Sequence, residues 1–382
     1  MSTQKDDRIK VLRIIARMNV GGPAVQISGL MRHFNDSEFN QILVTGYCDE
    51  TESDYLETSA TDVKATRIVG LGKSISPASD LKAFLQLRKI IKEFKPDIVH
   101  THTAKAGALG RMASITSGHK SKRVHTFHGH LLIGYFSPLK TKIVILIERM
   151  LALFTHKIFV VGKKVQSDLI EAGIAPARKF VQMPPGLELR KLPSHAEALN
   201  TLKLDQGKIY CSFIGRLTSI KRPDRFLDVV QEVSRELPNL EFIVAGAGEL
   251  LEECKSRVKS EKLPVIFLGW REDIETILAA SDFTILTSDN EGMPLSLIQA
   301  GMAGIPGVST NVGAVTDIIQ NGISGFVTDL NSEALVNAVL DITRYVPQRL
   351  RMGEESKLWT TDRFSVLRLV NDHEENYREL LK

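Results

Sequence analysis

Short runs of β-branched and apolar residues alternate with helical stretches along the whole chain. In the first half the spacing predicts strands at Val11–Ala16, Gln41–Val44, Lys64–Ile68, Ile98–His100, Arg123–Thr126 and Lys157–Val161. Helical periodicity fills the intervals at Pro23–His33, Asp80–Phe94, Ala106–Ser114, Pro138–Phe154 and Lys164–Ala172. The pattern restarts at Ile209–Ile214. It runs on through helices at Arg222–Glu236, Glu249–Ser260, Ile274–Ala280 and Pro294–Met302, and strands at Glu241–Ala245, Val265–Phe267, Phe283–Leu286 and Gly307–Ser309. A final set of helices closes the chain. Strand–helix alternation of this kind predicts parallel α/β sheets, doubly wound, with ligands at the carboxyl ends of the strands.

The 382 residues suffice for two such domains, each with its own core. Pro184, Pro185, Gly186 and Pro193 crowd together and mark the boundary near Met183–Leu192. Cys48, Cys211 and Cys254 are scattered, without C-x-x-C spacing, and suit a reducing compartment. The apolar run Ile143–Ile147 is far short of the ~20 residues that a bilayer span requires. Arg13 and Arg17 interrupt the apolar stretch near the N-terminus, so no secretory leader is read there and a cytoplasmic protein is expected.

Charge changes this picture. Residues 1–190 carry 28 Lys and Arg against 17 Asp and Glu, whereas the remainder is acidic. The basic half is therefore expected to meet an anionic partner. Nucleic acid is disfavoured, because zinc-finger spacing and an RNP-type aromatic motif are both missing. The helix around Leu139–Lys157 has Lys142, Arg149 and His156 beside an apolar face that includes Ile143, Ile147 and Leu151. It is read as packed on its own sheet in preference to a membrane. Charge elsewhere keeps peripheral contact with anionic lipid, or a lipid-diphosphate acceptor, in view.

Two common phosphate-binding motifs fail. Gly246-Ala-Gly248-Glu-Leu lacks the third glycine of a dinucleotide fingerprint, and Gly72-Lys73-Ser74 has Arg67 where a P-loop needs glycine. Three other segments remain. Asn19-Val-Gly21-Gly22-Pro23 follows the first strand and could bring backbone close to an anion at a helix N-terminus. Arg216 and Lys221 follow the strand that opens the second half, where two cations could neutralise a diphosphate. The strongest segment runs from Ser288 through Glu291, Gly292, Met293, Pro294, Leu295 and Ser296 to Gln299. It places an acid in a loop that leads into a helix rich in small residues.

Together these segments resemble a retaining family-4 glycosyltransferase, of glycosyltransferase group 1, with the GT-B fold. The resemblance also takes in Thr126-Phe-His128-Gly129-His130, Pro185-Gly186-Leu187, Gly246-Ala-Gly248-Glu249 and Leu268-Gly269-Trp270, and it covers nearly the whole chain. It implies two Rossmann-like doubly wound domains across a cleft: 1–187 on the acceptor side, joined by a returning helix at 362–382, and 188–361 for the nucleotide sugar. It implies transfer of a hexose from a nucleotide sugar, expected to be UDP-linked, to a glycan, lipid-linked or small-molecule acceptor. The setting would be polysaccharide or envelope glycan biosynthesis.

Residue by residue, the resemblance gives Arg216 and Lys221 the donor diphosphate, and Gly21 and Gly22 an approach to the same phosphates. Glu291 would bond sugar hydroxyls, and the amides of Gly292 to Ser296 would hold sugar and distal phosphate. Gln299 stands where the family has a ribose-binding glutamate, a departure from its pattern. Backbone at Leu268–Arg271, including Gly269, would read the base. His128 would lie by the transferred sugar. Eight of the ten histidines fall in the first half, so the motif, and not histidine abundance, singles it out. His102 and Lys105 are weaker acceptor-side candidates. No D-x-D pair occurs, so protein cations are expected in place of a metal, and no cofactor is expected. The alternative is a catalytically weak sugar-nucleotide-binding or scaffold protein, for which Gln299 is the sole argument. A sugar-nucleotide epimerase of the same fold does not fit the Glu291–Gln299 segment.

Overall fold

A computed structural model of the chain describes residues 6–50, 52–72, 74, 76–129 and 138–382, with only the backbone of 138–140. His130 and Lys73 lie outside the described residues. The chain divides into two units: Met1–Leu187 with Val366–Lys382, and Glu188–Ser365. The last helix is set off at Ser365 and not at 361, because Ser365 is extended (φ −70°, ψ 148°) and separates two helices there.

In the first unit the strands are β1 (Ile9–Ile15), β2 (Phe39–Thr45), β3 (Thr66–Arg67), β4 (Ile98–His102), β5 (Lys122–Phe127), β6 (Lys157–Val160) and β7 (Phe180–Gln182). The helices are α1 (Gly22–His33), α2 (Tyr55–Thr58), α3 (Pro77–Phe94), α4 (Ala104–Thr116), α5 (Pro138–Leu153) and α6 (Lys163–Glu171). The strands form one parallel sheet in the order β3-β2-β1-β4-β5-β6-β7. The central strand β1 is buried from Val11 to Ile15, which suits an apolar run covered by helices on both faces.

The second unit opens with α7 (His195–Leu202), β8 (Ile209–Ile214), α8 (Pro223–Glu236), β9 (Leu240–Ala245), α9 (Leu251–Glu261) and β10 (Val265–Gly269). Then come α10 (Ile274–Ala279), β11 (Phe283–Leu286), α11 (Leu295–Met302), β12 (Gly307–Thr310), α12 (Val315–Ile318), β13 (Gly325–Thr328), α13 (Ser332–Arg344) and α14 (Val346–Phe364). Its sheet is also parallel, in the order β10-β9-β8-β11-β12-β13. α15 (Val366–Leu381) returns to the first unit, where it packs on α1 and brings Tyr377 into the core with Phe34 and Phe39.

Several elements escape the sequence pattern, the one-turn helices α2 and α12 among them. β7 and β13 are too short to alternate visibly, and β13 begins at a glycine. α7 hides in the linker, yet it carries a complete capping box between Ser194 and Glu197. The reading of α5 needs correction. Leu151 and Ala152 pack inward, but Ile143 and Ile147 stay exposed, because the helix is apolar on more sides than one sheet can cover.

Candidate active site

The first sheet reverses its winding between β1 and β4, and the second between β8 and β11. Loops leaving such neighbours diverge, which opens a crevice at the carboxyl edge of the sheet. Residues picked from sequence fall at both edges: Gly21 and Gly22 after β1, His102 and Lys105 around the end of β4, Arg216 and Lys221 after β8, and Glu291 after β11.

In the second unit the loops after β8, β9 and β11 interlock. Gly246 has φ +151°, and a Cβ there would stand 1.9 Å from the Gly215 carbonyl oxygen, so glycine is required. Gly313 (φ +56°) meets the Glu291 carbonyl oxygen in the same way, also at 1.9 Å, and fixes the Glu291 loop from behind. Lys221 Nζ donates to Glu291 Oε1 at 2.5 Å, and Ser288 Oγ donates to the same oxygen at 2.6 Å. Arg225, almost fully buried, donates to the Thr287 carbonyl and to Asp289, each at 2.7 Å. Arg222 also reaches Asp289, at 3.0 Å. Burial works against the Asp289 carboxylate, but Arg225 and Arg222 hold its pKa below the ordinary value.

Arg216 is exposed, and its guanidinium has no partner among the described residues. It is a cation presented at the sheet edge, whereas the charge of Lys221 is already met by Glu291. Gly292 to Pro294 lead into α11, whose N-terminus has no side-chain cap and no acid in its first turn. Its leading amides therefore keep an uncompensated positive field, with Leu295 and Ser296 at the helix start. The Gln299 side chain makes no hydrogen bond among the described residues and is half-buried. Gly269 (φ +69°) has open space where a Cβ would be, its carbonyl accepts from Gly246 N at 2.8 Å, and Trp270 beside it is exposed.

The edge of the first unit is built differently. Gly21 has nothing nearer than 3.9 Å to an added Cβ, and α1 starts there without a side-chain cap or an acid in its first turn. His102 Nδ1 and His128 Nε2 share a hydrogen bond of 2.9 Å; His102 is buried and His128 half-buried. Burial pushes His128 down to about 4 and His102 well below the ordinary value, so both are neutral at pH 7. Among the described residues, His128 Nδ1 and His102 Nε2 have no hydrogen-bond partner. Behind them Tyr377 donates to His100 Nδ1 at 2.5 Å, and His100 Nε2 donates to Thr126 Oγ1 at 2.7 Å. Arg13 in turn donates to the Tyr377 hydroxyl at 3.0 Å. Lys105 is ion-paired with Asp80 of α3 at 2.7 Å and bonded to the Ser74 carbonyl.

Thr103, between β4 and α4, has φ +65° and ψ 156°, a region that side-chain-bearing residues avoid. Its hydroxyl accepts from Ala16 N at 3.3 Å and ties the β1 and β4 loops together at the crevice.

Two family models cover most of the chain. Residues 20–191 match Glycosyltransferase Family 4, and residues 195–359 match Glycosyl transferases group 1. The chain is 31% identical over 308 residues to a UDP-Gal:alpha-D-GlcNAc-diphosphoundecaprenol alpha-1,3-galactosyltransferase of Escherichia coli, which covers 76% of this chain and 77% of the relative. It belongs to the family-4 glycosyltransferases.

The capsular polysaccharide biosynthesis glycosyltransferase CapM of Staphylococcus aureus is a more distant relative, at 20% identity over 86% of this chain and 89% of its own. The fold is GT-B. HepE of Anabaena in complex with UDP superposes with a TM-score of 0.82 at 17% identity, covering 97% of this chain and all of the other. Sucrose-phosphate synthase of Thermosynechococcus elongatus gives 0.82 at 16%, with 98% and 99% covered.

In this glycosyltransferase the structure brings Lys221 and Glu291 into direct contact and leaves Arg216 without a partner among the described residues. It joins His102 to His128 and ties Lys105 into the α3–α4 packing. Sequence reasoning missed Arg225 and Thr103, and gave Ser288 and Asp289 no role within the segment that opens at Ser288. Arg225 gave a signal: it sits on the same stripe of α8 as the core residue Val229, and a cation on a core-facing stripe calls for an acid. Thr103 gave none, since its backbone strain has no sequence signature.

Proposed function

We propose that this glycosyltransferase is a retaining, metal-independent enzyme that takes a hexose from a UDP-linked donor. The acceptor is a lipid-linked glycan of envelope or capsular polysaccharide synthesis, met in the cytoplasm at the inner face of the membrane. The Escherichia coli relative is named for UDP-galactose and a diphosphoundecaprenol acceptor, and HepE was solved with UDP-glucose, which supports this choice of ligands.

The reading is carried by the cations at the carboxyl edge of the second sheet. As the glycosidic bond to UDP breaks, charge grows on the distal phosphate oxygens. Fixed donors aimed there lower the barrier. Arg216 supplies an unshared guanidinium, and Lys221 is held on the spot by Glu291, whose carboxylate Ser288 Oγ fixes in turn. Donor sugar hydroxyls bond the Glu291 carboxylate, and the first amides of α11 take up distal phosphate. Gln299 accepts from a ribose hydroxyl through its amide oxygen, without charge assistance.

In the first unit, His102 acts as a positioning residue. With its Nδ1–H donated to His128 Nε2, the neutral His128 keeps Nδ1–H free to donate to the transferred sugar. The acceptor hydroxyl attacks on the face from which UDP departs and gives its proton to the leaving phosphate, so the anomeric configuration is kept without a protein nucleophile.

Thermal shift against UDP-, GDP- and dTDP-linked hexoses tests the donor, because a bound ligand raises stability by mass action. The largest shift is expected with a UDP-sugar, and a larger one with a GDP-sugar contradicts the reading. Transfer should persist in excess chelator and give a product with the donor's anomeric configuration. Loss of transfer restored by Mn²⁺, or an inverted product, contradicts it.

A further inference from the structure

We infer that Thr103 contacts the acceptor: a backbone conformation suited to glycine holds its hydroxyl at the first unit's crevice, with the proton left to donate to a hydroxyl oxygen of the acceptor sugar. This deepens the proposed function, because it rests on the first unit holding the acceptor. Among the described residues, five that are not glycine have positive φ. Lys95, Lys203, Arg222 and Lys262 lie in the ordinary left-handed region at helix ends, with φ 51–58° and ψ 42–61°. Thr103 differs from all four. Its ψ of 156° with φ +65° falls in a region that glycine alone occupies freely, and a β-branched residue there is a true outlier.

The turn explains why the backbone bends so sharply there, but not why threonine makes the bend. His102 ends β4 and α4 begins at Ala104, so one residue carries the chain from strand to helix. α4 lies tight on the sheet: a Cβ at Gly107 would stand 2.5 Å from His125 Cε1, and one at Gly110 would stand 2.7 Å from Thr101 Cγ2. Glycine at position 103 would meet this turn without steric cost. A threonine kept there despite the strain points to a use for its side chain.

Within the protein that use is slight. Oγ1 accepts from Ala16 N at 3.3 Å, just beyond the usual range for such a bond, and its proton has no acceptor among the described residues. Thr103 is half-buried and directly follows His102, whose ring is bonded to His128. Its hydroxyl is therefore an oriented donor at the switch point between β1 and β4, where a ligand of such a sheet is met. The surrounding groups decide which ligand oxygen it suits. His102 and His128 are neutral at pH 7, and the charge of Lys105 is met by Asp80. A neutral hydroxyl among neutral rings matches a sugar hydroxyl better than a phosphate, which calls for charged donors.

The test compares Thr103→Ser, Thr103→Ala and Thr103→Gly with wild type by thermal melting and by transfer kinetics. The donor is the UDP-hexose of largest thermal shift, and the acceptor probe is α-D-GlcNAc diphosphate on a short lipid chain. Alanine keeps the strain and loses the hydroxyl, whereas glycine loses both, so Thr103→Gly should melt above Thr103→Ala. In both, kcat/KM for the acceptor should fall by about tenfold, the worth of one hydrogen bond, while the KM of the donor and the Kd of UDP stay at wild-type values. Thr103→Ser should keep most of the wild-type activity. A residue that only shapes the turn would instead make Thr103→Gly the more active variant as well as the more stable one. UDP binding by the same preparations shows that the variants are folded.

Thr103→Gly that transfers like wild type overturns the inference, as does Thr103→Gly melting below Thr103→Ala, or an equal rise in the KM of donor and acceptor. Wild-type protein that binds UDP but transfers nothing to this probe overturns the acceptor reading itself, and the contact with it. A failure confined to the variants leaves that reading intact.

Discussion

The two units repeat one architecture, a parallel sheet that reverses its winding at its centre, yet they furnish their crevice edges with opposite chemistry. The second unit presents charge: Arg216, unpartnered among the described residues, and the Lys221–Glu291 pair, with Arg225 bonded to Asp289 and the Thr287 carbonyl in the loop that carries Glu291. The first presents neutral rings, with His100, His102, His125 and His373 pushed well below the ordinary histidine value by burial and His128 down to about 4. Topology thus gives each unit a crevice at its sheet edge, and the side chains there decide its charge. On the function proposed above, charge suits a leaving diphosphate, and uncharged donors and acceptors suit a sugar.

The sharpest way to break this contrast is Arg216→Ala. Loss of one preorganised donor should cut turnover by about 10²–10³-fold. Arg222, whose charge is already met by Asp224 and Asp289, should matter much less when changed to Ala. Steady-state rates of the two variants decide the matter, and similar losses in both would erase the special place of Arg216.

Acid should separate the units next. Each buried histidine of the first unit has a folded pKa below the ordinary 6.5, so the unfolded chain takes up the proton first. Its contribution to stability is full above about pH 6.5 and falls by about 1.4 kcal/mol per pH unit as pH drops toward the folded value. The Arg-held carboxylates of the second unit, Asp289, Asp224 and Asp273, lose their contribution only below their ordinary 3.8. Hydrogen exchange at pH 7 and pH 5 should therefore show β4 and β5 losing protection while β8 and β11 keep it. Earlier opening of β8 and β11 would reverse the assignment.

The smallest effect expected is at Gln299. A neutral hydrogen bond to ribose is worth about 1–2 kcal/mol, so Gln299→Ala should weaken donor binding by that amount and Gln299→Glu should be tolerated. Calorimetry on the three proteins measures it. Equal affinity in Gln299→Ala would mean that the side chain does not touch the nucleotide.

Much of this was legible in the sequence, for definite physical reasons. Strand and helix periods are local, so β1, β4, β8 and β11 and the loops after them could be placed within a few residues. Glu291 and Lys221 could each be picked from the chemistry of their loops. Their contact could not, because it depends on how the loops after β8 and β11 converge. Arg13 read only as a break in an apolar run, yet it is fully buried and bonded to Tyr377 from the far end of the chain. His102 read as an acceptor-side group, and its hydrogen bond to His128 could not be foreseen, because it depends on how the ends of β4 and β5 lie side by side. The exposed side of α5 was hidden for a similar reason, since periodicity shows that a helix has an apolar face but not how much of it the sheet covers.

The central claim, that the nucleotide is gripped by the second unit's cations and not by the first unit's histidines, is tested most directly by calorimetric titration of UDP. Wild type, Arg216→Ala and His128→Ala would be compared. The account predicts that Arg216→Ala loses about tenfold to a hundredfold in affinity, the worth of a charge-assisted hydrogen bond, while His128→Ala binds UDP like wild type. Undiminished UDP binding in Arg216→Ala, or its loss in His128→Ala, would contradict it.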